Sequence, residues 1–141
     1  MSDALPQQIQ LAVVTPDRQV IQETVEGVSI PGKNGYLGIL PGHAPLLSEL
    51  KVGELDFTRQ GTHHVLAVCW GFAEVLPDRV IVLAHTAERA EEIDVARAER
   101  AKERAEERLK KMGDPEIDFE RARAALERAV TRLQAAKRLR G

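Results

Sequence analysis

Five charged residues in the last third of the chain have types and spacing suited to chemistry. Asp94, Arg97 and Arg104 fall in one charged tract, and Arg128 and Arg132 in a second. At helical spacing Arg128 and Arg132 are four apart and share a face, while Arg97 and Arg104 are two turns apart on one face. A guanidinium is a planar fork that binds phosphate oxygens in pairs, so several of them converging would suit a small polyanion. The competing reading is a solvated surface of ordinary salt bridges, because acids are interleaved throughout both tracts. Periodicity alone leaves both open.

Other chemistries find little support. His63 and His64 are adjacent in an expected strand, so their side chains point to opposite faces and cannot share one metal ion. His43 and His85 lie in separate segments without ligand spacing, and no metal site is expected. Cys69, the single cysteine, cannot form an internal disulfide and fits a reducing compartment. Its apolar neighbours argue for a packed, inert thiol rather than a nucleophile. Neither a Gly-rich phosphate loop ending in Lys-Ser/Thr nor Gly-x-Ser-x-Gly occurs. No catalytic residue and no required cofactor are expected.

Two kinds of element must position these residues, and the change between them falls near Thr86. Before it, short apolar runs alternate with Gly, Pro and Asn punctuation, which reads as strands and turns. Strands are expected over residues 9–14, 19–30, 36–40, 46–51, 53–58, 63–76 and 80–84. The glycines of Gly32-Lys33-Asn34-Gly35 suit a tight turn, and Pro41 and Pro45 stiffen the loop between them. Strands and turns at this spacing indicate a β-sandwich or flattened barrel. Residues 65–73 are apolar on both faces, which fits a central covered strand or one whose outer face docks a partner subunit.

After Thr86 the chain is a tract of Ala, Glu, Arg and Lys, broken only at Gly113-Asp114-Pro115, and helix is expected. Asp114 reads as an N-cap followed by Pro115 at the first helical position, giving helices near 93–112 and 116–139 in an antiparallel hairpin. The seam of the first would be Ala98, Ala101, Ala105, Leu109 and Met112, and of the second Ala122, Leu126, Ala129, Leu133 and Ala136. A buried Leu contributes roughly 1.5–3 kcal/mol and an alanine methyl nearer ~0.8 kcal/mol, so this seam holds its helices close but weakly. High intrinsic propensity keeps each helix formed regardless. The hairpin should open for a few kcal/mol, which is what a switch requires.

The domain reading is therefore a β-sandwich over residues 1–86 and a helical hairpin over 87–141. Fifteen of the twenty Lys and Arg lie after Thr86, matched there by thirteen acids, and such mixing argues against a nucleic-acid partner. No basic-then-apolar leader is evident at Met1-Ser2-Asp3-Ala4. The longest apolar run is about half the ~20 residues a membrane helix needs, so direct membrane insertion is not expected.

The ordered string from Gly35 to Gly53, GYLGILPGHAPLLSELKVG, closely resembles the signature of the epsilon subunit of bacterial and chloroplast F-type ATP synthases. The similarity extends through Trp70-Gly71-Phe72-Ala73-Glu74-Val75 and the helical tail. It implies a sandwich of about ten strands followed by an antiparallel two-helix hairpin. It also implies a non-catalytic rotor subunit in the central stalk, bound to the gamma subunit and the c-subunit ring. Such a subunit sits peripherally on the cytoplasmic face of the bacterial inner membrane and helps couple proton flow to ATP synthesis. In the family's inhibitory state the tail extends along gamma to the alpha and beta subunits and restrains hydrolysis. Some relatives bind ATP in the folded hairpin through Ile/Leu-Asp-x-x-Arg-Ala, which here is Ile93-Asp94-Val95-Ala96-Arg97-Ala98. Glu88, Arg104, Arg128 and Arg132 resemble the remaining ATP contacts, with ATP as a regulatory ligand. Tyr36 and His43 correspond to contacts with the c ring or gamma, although relatives often carry an acid where Tyr36 stands. Apart from the resemblance, the residues also fit a β-sandwich adaptor whose hairpin docks a partner unrelated to rotation. A small sandwich hydrolase or metalloenzyme is a third class, disfavoured by the scattered histidines.

Overall fold

Alternation of branched aliphatics with polar residues drives the first part of the chain into sheet. The computed structural model describes residues 6–111 and 113–140. Its strands are β1 (Ile9–Val14), β2 (Gln19–Val25), β3 (Gly27–Gly32), β4 (Gly35–Ile39), β5 (Leu46–Leu50), β6 (Gly53–Arg59), β7 (Thr62–Leu76) and β8 (Arg79–Arg89). A 3-10 turn over Ala90–Glu92 leads to the helices α1 (Val95–Lys110) and α2 (Phe119–Arg140). Residues 1–89 and 90–141 form two compact units.

In the first unit the strands run in the order β2-β1-β8-β7-β5-β3-β4, and β6 bridges β3 and β7 to complete the sandwich. The pairings are antiparallel except β1 with β8, which is parallel. Inward positions carry Ile9, Leu11, Val13, Ile30, Leu55, Leu66, Val68, Val75, Val80 and Val82, each at most 1% exposed. This is a core of branched side chains, each of which contributes on the order of 1.5–3 kcal/mol.

β7 holds the two halves of the sandwich together. Residues 62–68 of β7 pair with β6, residues 71–75 pair with β5, and β8 runs along both parts. The turn-over point is Trp70-Gly71, where both residues have positive φ, 47° and 134°. A Cβ on Gly71 would lie 1.9 Å from the Leu83 carbonyl oxygen, so only glycine fits the crossing.

Three details differ from the sequence expectation. Eight strands stand among the described residues instead of about ten, with the long β7 serving both halves as one strand. The single strand expected over 19–30 is two, β2 and β3, with the Glu26 N–H between them donating to the Thr58 carbonyl at 2.8 Å. β8 continues to Arg89, past the change in composition at Thr86, because Thr86 and Ala87 pair with Cys69 and Val68 of β7. Cross-strand pairing there outweighs the helical propensity of the Ala and Glu residues.

The second unit is the hairpin of α1 and α2, whose mutual packing includes the 3-10 turn. Ala98, Ala105, Ala122, Ala129 and Ala136 are buried, and Ala101, Leu109, Leu126 and Leu133 are half-buried, as the seam required. Met112 lies outside the described residues. The start of α2 is a correction. Asp114 does not cap it but accepts from the Glu116 N–H at 2.9 Å in a local turn, with Pro115 inside that turn. The cap is Asp118, whose carboxylate accepts from the Arg121 N–H at 3.1 Å. Of the two aspartates, only Asp118 follows an apolar residue, Ile117, able to pack against the first turn.

Candidate functional site

The hairpin brings the charged residues of interest to comparable levels. Arg97 lies thirteen residues back from Lys110, the end of α1, and Arg132 lies thirteen residues forward from Phe119, the start of α2. At 1.5 Å per residue, each of these two arginines stands about 20 Å along its helix from the connection. Arg104 and Arg128 fall six and nine residues from the same ends, two turns and one turn nearer the connection. Arg128 and Arg132 are half-buried and engaged in interactions of their own, whereas Asp94, Arg97 and Arg104 are exposed. Glu88 belongs to β8 of the first unit, opposite Ala67.

Asp94 has a defined local task. It is the N-cap of α1, with extended backbone (φ −79°, ψ 98°), and its Oδ1 accepts from the Arg97 N–H at 3.0 Å. Ile93 and Ala98 are buried, 8% and 0% exposed, so their side chains serve packing. The sequence reading missed a second copy of this pattern. Ile117-Asp118-Phe119-Glu120-Arg121-Ala122 repeats Ile93-Asp94-Val95-Ala96-Arg97-Ala98 at an offset of 24, and the repeat runs on through Glu103/Glu127, Arg104/Arg128, Arg108/Arg132 and Leu109/Leu133. Self-comparison of the sequence at a fixed period would have found it.

A different kind of surface lies on the first unit. The chain has only five aromatic residues, one Trp, one Tyr and three Phe, yet Tyr36, Trp70 and Phe72 are exposed at 55%, 37% and 53%. Phe72 is registered against Leu83 of β8 (55% exposed), and Leu83 against Val14 of β1, so one outward row is apolar across three strands. Leu47 of β5, 70% exposed, stands opposite Glu74 in the next row. The covered-strand expectation for residues 65–73 therefore divides: residues 66–69 are buried on both faces, and the stretch beyond the Gly71 crossing turns Phe72 outward.

Tyr36 and His43 flank opposite ends of β4, Tyr36 near its start and His43 in the loop that follows it. The Tyr36 hydroxyl accepts from the Glu54 N–H at 3.1 Å, and the Lys51 ammonium stands 5.9 Å from the ring centroid. Tyr36 also borders a cavity of about 390 Å³, lined by Lys33, Leu37, Leu46, Leu47 and Glu49 among others. His43 is half-buried in the loop after β4, its Nδ1 2.7 Å from the Ala44 carbonyl. The two adjacent histidines have separate partners: His63 Nδ1 is 2.9 Å from Asp56 Oδ1, and His64 stacks on Phe57 at 4.9 Å.

Comparison with known proteins accounts for both units. Residues 8–90 match the family described as ATP synthase, Delta/Epsilon chain, beta-sandwich domain, and residues 91–137 match the corresponding long alpha-helix domain. The chain belongs to the ATP synthase delta/epsilon family. It is 61% identical over 101 residues to an ATP synthase epsilon chain of Koribacter versatilis, covering 72% of this chain and 71% of that one. It is 50% identical over 127 residues to the epsilon chain of Desulforamulus reducens, covering 90% and 96%. Among solved structures it is similar to a chain of the Euglena gracilis mitochondrial ATP synthase (OSCP/F1/c-ring), with TM-score 0.82 and 28% identity over 97% of this chain and 86% of that one. Like its family, the chain is a non-catalytic subunit of ATP synthase. No helix among the described residues is long and apolar enough to cross a membrane.

Proposed function

We propose that this chain is a rotor subunit whose sandwich docks on the gamma subunit and the c-subunit ring and whose hairpin regulates hydrolysis by the alpha and beta subunits. The apolar row of Phe72, Leu83 and Val14 suits burial against gamma, since exposed aromatics on a sheet face mark association surfaces. Tyr36 and His43, at opposite ends of β4, are further candidate contacts with the c ring or gamma. Assembled in this way, the subunit sits peripherally on the cytoplasmic face of the bacterial inner membrane.

The observation that carries the regulatory reading is the composition of the hairpin seam. Its buried members within α1 and the facing part of α2 are chiefly alanines, so pairing is weak while each helix is intrinsically stable. ATP held by Arg97, Arg104, Arg128 and Arg132 would favour the folded, non-inhibitory hairpin. At a hundredfold excess over Kd this linkage is worth about 2.7 kcal/mol, comparable with the few kcal/mol needed to open the seam.

Calorimetric titration of the full chain with ATP tests the nucleotide site. Arg128→Ala should weaken binding about tenfold or more, because a hydrogen bond to a charged group contributes roughly 1.5–3 kcal/mol. Unchanged affinity removes Arg128 from the site. Removing residues 90–141 should raise ATP hydrolysis by the assembled complex, and equal activity with and without them would sink the inhibitory role.

A further inference from the structure

We infer that, within the nucleotide site proposed above, Asp94 is a positioning residue for Arg97 and not itself a ligand for ATP. The inference rests on that reading and on the duplicated motif. Written in helix positions, Ile-Asp-x-x-Arg-Ala spans N′, N-cap, N1, N2, N3 and N4. The N-cap accepts from the N3 amide, and apolar residues at N′ and N4 pack together to fix the entry of the chain. Asp94 and Asp118 both do the first, to Arg97 at 3.0 Å and Arg121 at 3.1 Å. Ile93 and Ala98 are both buried in the first copy, and Ala122 is 2% exposed in the second. Three of the four fixed residues of the motif are thus accounted for by starting a helix.

The fourth is not. An N3 position favours an acid or an amide, because the helix N-terminus carries partial positive charge and N3 can reach back to the cap. Arginine there opposes the helix dipole, so Arg97 is the member whose identity the helix does not explain. Of the two copies, the first stands level with half-buried Arg132, while the second stands level with exposed Arg108. The motif starts both helices, and only for the first copy is the arginine at the matching helix position, Arg132, half-buried.

The test compares Asp94→Asn, Asp94→Ala and Asp118→Ala in the full chain. ATP affinity is measured by calorimetry and the Arg97 and Arg121 amides by hydrogen exchange. Asparagine caps as well as aspartate but carries no charge. Asp94→Asn should keep ATP affinity within about twofold and retain protection of the Arg97 amide. Asp94→Ala should lose that protection and about tenfold in affinity. Asp118→Ala should deprotect Arg121 while leaving ATP affinity within about twofold, which separates positioning at the site from general loosening of the hairpin. If Asp94→Asn loses affinity as Asp94→Ala does while the Arg97 amide stays protected, the carboxylate contacts ATP and the inference is overturned. Full affinity in Asp94→Ala also overturns it. An unaltered chain that binds no ATP overturns the nucleotide reading beneath it, a result distinct from either.

Discussion

The sandwich and the hairpin are stabilised by opposite means. In the sandwich, chain segments distant in sequence are pinned by Ile, Leu and Val at 0–1% exposure, and each strand depends on its neighbours. In the hairpin each helix is formed by local propensity and capped by its own aspartate, and what joins the two is largely methyl groups. Strand structure in the first unit depends on neighbouring strands, whereas helix structure in the second is set mainly by local propensity. This contrast is the one on which the proposed regulatory role rests.

That contrast can be broken at its strongest point first. Gly71→Ala adds a Cβ against the Leu83 carbonyl at a φ of 134°, so it should cost the sandwich about 4 kcal/mol or more, read as loss of cooperative thermal unfolding of the first unit. A stable Gly71→Ala protein would mean that the β7 crossing is not fixed. Next, Leu55→Ala should cost roughly 2–5 kcal/mol in denaturant titrations, whereas Ala129→Gly in the seam should cost only about 1 kcal/mol. Comparable losses would erase the difference between the units. The smallest effect on stability belongs to Phe72→Ser, expected within about 0.5 kcal/mol of the parent because the ring is 53% exposed. The same substitution should reduce co-elution with gamma, and undiminished co-elution would take the apolar row out of that interface.

Much of this was legible in the residues. Period-two alternation marked β1 and β6, and Gly/Pro/Asn punctuation marked the turns, because both are local signals. The alanine seam was readable for the same reason. What escaped was non-local or degenerate. The end of β8 looked helical by composition and is strand because of β7. By sequence Asp114 reads as the cap of α2, whereas the cap is Asp118, which follows the apolar Ile117. In the candidate site, the arginines were visible as a periodic set, but Asp94's task as a cap became clear only when its twin, Asp118, was seen doing the same work.

The strand that hands the chain to the hairpin is anchored in a graded way. Residues 79–83 of β8 are flanked by β1 and β7, residues 84–89 are held along one edge by β7, and the Arg89 guanidinium donates to the Val20 carbonyl at 2.8 Å. A mechanical tug on the tail meets that clasp together with the first rung, Arg89 opposite Leu66, then a singly held stretch, then a doubly held one. Torque borne by the helices would therefore be absorbed at the exit of β8 before it could peel the body open, and single-molecule pulling from the C-terminus should show Arg89→Ala lowering the first yield force alone.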